Sequence, residues 1–109
     1  MIKVTVYRDN NRITSFELSG HAESGPYGYD LVCAGVSAVS FGAVNAVLEL
    51  TDIDLAIEQG SEGGYLRVTI PNSVDTEGKE KVQLLFEAMI VSLQTIERDY
   101  SQFIKIQSK

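Results

Sequence analysis

One histidine and one cysteine occur in the chain, and both lie in a single segment, Ser19-Gly20-His21-Ala22-Glu23-Ser24-Gly25-Pro26-Tyr27-Gly28-Tyr29-Asp30-Leu31-Val32-Cys33-Ala34-Gly35-Val36-Ser37. A thiol and an imidazole that can approach each other supply nucleophilic chemistry: the thiolate attacks, and the imidazole takes and returns the proton. Asp30 precedes an apolar-periodic run and has the chemistry of an N-cap, accepting from the backbone N–H of Val32 or Cys33. That spacing predicts Cys33 at the third helical position, where unpaired N–H groups and the macrodipole favour negative charge. A thiol of pKa about 8.5 is only about 3% ionised at pH 7, whereas one of pKa about 7 is half ionised. The difference, roughly 2 kcal/mol, is within reach of a helix start plus a nearby imidazolium. Cys33, Ser37 and Ser40 recur at four- and three-residue steps and predict a narrow polar strip on a cleft floor. Gly20, Gly25, Pro26 and Gly28 suit a loop that covers the cleft as a lid, with Tyr27 and Tyr29 placed to gate it or bind there.

Each of these residues also has a purely structural role open to it. A lone cysteine on an apolar helix is more often inert core than nucleophile. Asp30 is accounted for by capping alone, at about 1 kcal/mol. Ser37 and Ser40 can bond back to carbonyls of the preceding turn, and a lone loop histidine is usually at the surface. The residues by themselves therefore leave two readings: a cysteine nucleophile, or a non-catalytic peptide-binding or assembly factor with a structural cysteine. A metal site built from His21, Cys33, Asp30 and Glu23 has one sulfur and one nitrogen ligand, short of a structural tetrahedral set, so no metal or other cofactor is expected.

The elements that must position this segment are legible as hydrophobic patterns. Alternation over about 2–8 and 12–19, with Asp9-Asn10-Asn11 between, predicts a β-hairpin. The pattern returns at 53–57 and 65–70, joined by Gly60-Ser61-Glu62-Gly63-Gly64 and ended by Pro71. A helix is predicted over about 76–100, where Val82, Leu85, Phe86, Met89, Ile90, Leu93, Ile96 and Tyr100 form a core-facing stripe. The first helix, about 31–50, is apolar around nearly its whole circumference, so it is expected to be central or covered by a second copy of the chain. A short strand at 103–106 completes a ββαββαβ order. The expected fold is α+β: one domain, 1–109, with a mostly antiparallel sheet and two helices packed on it.

Composition narrows the function. At 109 residues the chain can bury a core without disulfides or metal. No apolar run in the sequence is read as approaching the roughly 18–20 residues of a membrane span. A single cysteine and an alternating N-terminus without an export signal point to the reducing cytoplasm. Nine Lys and Arg scattered among fifteen acids, net charge −6, argue against direct nucleic-acid binding and suit a basic partner.

Gly20-His21-Ala22, the Gly-containing loop, and Gly28-Tyr29-Asp30-Leu31-Val32-Cys33-Ala34-Gly35-Val36-Ser37 resemble the signature of the ribosomal-processing cysteine protease family (Prp, YsxB-like). The resemblance extends to element order and length over essentially the whole chain. It implies a cytoplasmic, homodimeric endopeptidase that trims a short N-terminal extension from a large-subunit ribosomal protein precursor during ribosome assembly. By position, Cys33 resembles the family's nucleophile and His21 its base, with Asp30 and Ser37 supporting.

Overall fold

The computed structural model describes residues 1–20, 29–60 and 64–109. Strands β1 (Ile2–Asp9) and β2 (Arg12–Ser19) form the first hairpin, followed by helix α1 (Tyr29–Leu50). Strands β3 (Ala56–Gln59) and β4 (Tyr65–Thr69), helix α2 (Thr76–Asp99) and strand β5 (Ile104–Ser108) complete the order. The sheet runs β3-β4-β2-β1-β5, antiparallel except where β5 lies parallel to β1. The expected α+β class and ββαββαβ order are what the chain adopts.

Local sequence explains the hairpin. Asn10 and Asn11 both have positive φ, 52° and 66°, the conformation a two-residue turn needs to match the twist of its strands, and one that asparagine tolerates. Strand alternation then sends Ile2, Val4, Val6, Phe16, Leu18, Leu66, Val68 and Ile104 to one face, where all are buried. Both helices cover that face in one core cluster, with Phe16 and Phe86 meeting edge to face at 5.1 Å.

Side chains from α2 complete the backbone pairing that the sheet leaves open. Gln83 donates from Nε2 to the Ile13 carbonyl at 2.7 Å and accepts at Oε1 from the Ile13 N–H at 2.8 Å. Glu97 accepts from the Ile106 N–H at 2.7 Å, closing part of the β5 edge. Arg8 donates from both guanidinium nitrogens to Glu87, at 2.7 and 3.1 Å. That bond is the main cause holding the Glu87 carboxyl below the usual value. Asp75 caps α2 by accepting from the Gly78 N–H at 2.7 Å.

Three sequence expectations shift. The strand read at 53–57 lies at 56–59, because Ile53 and Leu55 are buried as anchors of an irregular connector. The Ile53 N–H is held by the Thr51 hydroxyl at 3.1 Å rather than by a ladder. The last strand is 104–108 instead of 103–106: Phe103 is core, but it belongs to the preceding turn. Leu31–Leu50, 20 residues, is long and apolar enough by length and composition to cross a membrane. The run-length reading missed this because Gly35, Ser37, Ser40, Gly42 and Asn45 interrupt the run without making the segment polar. A core helix meets the same criterion, and α1 sinks Val32, Val36, Val44 and Val47 into the cluster beneath it.

Candidate active site

The end of the sheet where β2 finishes is where α1 begins its course across the core. Ile2, Leu18, Ser19, Gly20 and Leu66 from the sheet face Cys33, Val36, Ser37 and Phe41 from α1 across a groove of about 420 Å³. Gln59, Gly60, Gly64 and Tyr65, around the turn of the second hairpin, close its far side. Cys33 is half-buried and Ser37, one helical turn on, is exposed. A thiol in that setting borders an open groove, which an inert core cysteine would not.

Gly20 is the last described residue before His21, and its geometry is demanding. Its φ is +121°, and a Cβ built on it would meet the Met1 carbonyl oxygen at 2.3 Å. Its N–H donates to the Gly64 carbonyl at 2.9 Å. Only glycine fits there without displacing backbone, so the chain leaves β2 along a direction set by β1 on one side and the β4 turn on the other. The loop glycine expected for adaptability is, at this position, required for close packing.

The groove wall at Tyr65 is braced from the outer face of the sheet. Tyr65 donates its hydroxyl proton to Glu17 at 3.0 Å, Arg67 pairs with the same carboxylate oxygen at 3.3 Å, and the Arg67 guanidinium lies 5.0 Å from the centre of the Tyr7 ring. The bond to Glu17 is the main cause raising the Tyr65 phenol above its ordinary value, so the hydroxyl stays protonated.

Several sequence expectations are refined here. The helix runs from Tyr29, so Asp30 lies within its first turn instead of preceding it, and Cys33 is the fifth helical residue, not the third. The first-turn N–H groups therefore lie N-terminal to Cys33, and its own N–H falls within the intrahelical ladder. Ser40 does not line the groove: it is fully buried, with no partner for its hydroxyl among the described residues, and Phe41 takes the surface position. The strip read as Cys33, Ser37 and Ser40 is thus Cys33, Ser37 and Phe41. His21, Glu23, Gly25, Pro26, Tyr27 and Gly28 lie outside the described residues. The hairpin-turn wall was missed because Gln59 fell outside the strand read at 53–57 and Tyr65 read as an ordinary strand position; the Gly-rich segment between them was the signal available. Among the described residues, no group of three or more His, Cys, Asp or Glu is placed to hold a metal ion.

A small α+β domain with its one cysteine on a helix beside a groove suits a thiol peptidase. The family model for cysteine protease Prp matches residues 1–105. The chain is 50% identical over 107 residues to the ribosomal processing cysteine protease Prp of Bacillus subtilis (strain 168), covering 97% of this chain and 96% of that protein. It is 43% identical over 108 residues to the Prp of Staphylococcus aureus (strain Mu50 / ATCC 700699), covering 99% and 97%. Its fold resembles the crystal structure of the essential S. aureus Prp in complex with a substrate peptide, with TM-score 0.88, 39% identity and full coverage of both chains. A second S. aureus Prp structure, with a covalently linked product peptide, gives 0.85 at 39% identity, again over both whole chains. The chain belongs to the cysteine protease Prp family and is a cysteine-type endopeptidase.

Proposed function

We propose that the chain removes a short N-terminal extension from a large-subunit ribosomal protein precursor during ribosome assembly, using Cys33 as nucleophile and His21 as base. The observation that carries this reading is the placement of Cys33 in the groove, opposite the strand end from which His21 follows directly after Gly20. An extended peptide lies along α1, and an apolar side chain fits among Ile2, Leu18, Val36, Phe41 and Leu66.

His21 takes the proton from the Cys33 sulfur, and the thiolate attacks the scissile carbonyl. His21 returns the proton to the departing amine, leaving an acyl thioester. Water then cleaves the thioester, releasing the new carboxylate and regenerating the thiol. The covalently linked product peptide held by the S. aureus relative supports a covalent route here. Because Cys33 is one turn into α1, thiolate formation rests mainly on the His21 imidazolium and less on the helix start. Ser37 borders the reacting centre, and Asp30 serves from the first turn of α1. Gly20, Gly25, Tyr27, Gly28 and Tyr29 are the residues proposed to meet the substrate.

Three further parts of the reading stand as proposals: a cytoplasmic location without membrane attachment, action on a basic protein with no direct nucleic-acid contact, and a homodimer. The net charge of −6 favours approach of a basic precursor. Exposed Leu31, Phe41, Leu48 and Leu50 on α1, with Leu84 and Val91 on α2, supply an apolar surface that a second copy would cover.

Mass spectrometry of a candidate ribosomal protein precursor, incubated with wild type, Cys33→Ala and His21→Ala, tests the assignment. Wild type converts the precursor to a product lacking its N-terminal segment, and both variants leave it intact. Full cleavage by either variant removes that residue from the mechanism. If wild type binds the precursor yet never cleaves it, and Cys33→Ser binds equally, the protein is a binding factor instead.

A further inference from the structure

Gln59 is out of keeping with its surroundings. It ends β3 in register with Leu66, so both side chains leave the same face of the sheet. Leu66 is buried in the core, while Gln59 is exposed at the sheet edge and lines the groove that holds Cys33. Every other side chain that β2 and β4 send to this part of the face, Phe16, Leu18, Leu66 and Val68, is apolar and buried. Among the described residues Gln59 has no side-chain hydrogen bond, and it is the only amide side chain in the groove. The Tyr65 hydroxyl, by contrast, is committed to Glu17.

Gln83 shows what such an amide does when a backbone lies beside it: it donates to the carbonyl and accepts from the N–H of one residue, Ile13, at 2.7 and 2.8 Å. An extended peptide presents the same pair of groups at alternate residues on each edge. We infer that Gln59 is a substrate-positioning residue, which clamps the main chain of the bound peptide by a two-point amide contact in the groove that Cys33 also lines. The contact is indifferent to side-chain identity. It fixes how far along the groove the chain sits, and hence which carbonyl is presented to the sulfur. This inference rests on the endopeptidase reading above.

Gln59→Leu keeps the size of the side chain and removes both hydrogen-bonding poles. The expected result is a KM for an extended peptide raised roughly 5- to 20-fold, with kcat changed less than about twofold. The same loss appears as weaker peptide binding in a Cys33→Ala background, a readout that does not depend on turnover. A set of peptides in which single amides are replaced by esters adds a second arm. One ester position weakens binding to Cys33→Ala and has no further effect on Cys33→Ala/Gln59→Leu. Unchanged KM and binding in the Gln59 variants, or equal sensitivity of both proteins to every ester, overturns the inference. Loss of cleavage in Cys33→Ala alongside an unaffected Gln59→Leu overturns the inference and leaves the protease reading intact. Retained cleavage in Cys33→Ala removes Cys33 from the mechanism, and with it the reading on which this inference rests.

Discussion

Ser40 and Gly20 show how single residues near the groove carry opposite constraints. The Ser40 hydroxyl is sealed in the core without a partner among the described residues, an arrangement that costs about 1–3 kcal/mol relative to a satisfied group. Ser40→Ala is expected to stabilise the fold by roughly 1 kcal/mol in urea unfolding while leaving peptide cleavage unchanged, because the residue does not reach the groove. A loss of cleavage with retained stability would put Ser40 back in the site. Gly20→Ala is expected to do the reverse. With φ at +121° and the Met1 carbonyl 2.3 Å from a new Cβ, the strand end must shift, at a cost of about 1–3 kcal/mol, and cleavage is expected to fall because Gly20 borders the groove. A Gly20→Ala protein as stable and active as wild type would show that this close approach has no consequence.

Among the elements, α2 does more than present an apolar stripe. Its Gln83 amide repairs the pairing of β2 near the irregularity between Tyr7 and Arg8 in the β1–β2 register. Gln83→Ala leaves the Ile13 groups without these partners, and a loss of about 1–3 kcal/mol is expected in equilibrium unfolding. The Arg8–Glu87 pair joins β1 to the same helix at 2.7 Å. Its folded-state carboxyl lies below the ordinary value, so its contribution is fully present above the unfolded Glu pKa of about 4.3. The contribution disappears as pH falls from there through the folded value. Glu87 is partly exposed, so the effect is modest. Glu87→Gln is expected to flatten the acid limb of the stability–pH curve, and an unchanged limb would mean that the pair adds nothing.

At the scale of the whole molecule, both helices leave large apolar side chains exposed. Leu31, Leu48 and Leu50 on α1 and Leu84 and Val91 on α2 are all well exposed, Leu84 to 72%. Paired copies covering this surface are expected to sediment as a dimer at micromolar concentration, and Leu84→Glu together with Val91→Glu to shift the equilibrium toward monomer. Wild type sedimenting solely at monomer mass would exclude the homodimer.

The second helix and the first hairpin were legible because each rests on a local rule: a 3.6-residue stripe ending in the core, and an asparagine pair suited to positive φ. The Gly20–Ser37 signature pointed to the family for a similar reason, since spacing along one segment is itself sequence information. The start of β3 was not legible. The alternation of Ile53, Leu55 and Ile57 satisfies a strand rule, and only the competition between core burial and ladder pairing moved the strand to 56–59. Nor could any local pattern show that Ser40 turns inward while Phe41 meets the groove, or that Gln59 and Tyr65, far along the chain, stand across from Cys33. Sequence by itself determined the family, the groups proposed for the chemistry and the elements that carry them. Tertiary structure alone decided what faces those groups, because the groove's walls come from segments whose meeting depends on how the strands order themselves across the sheet.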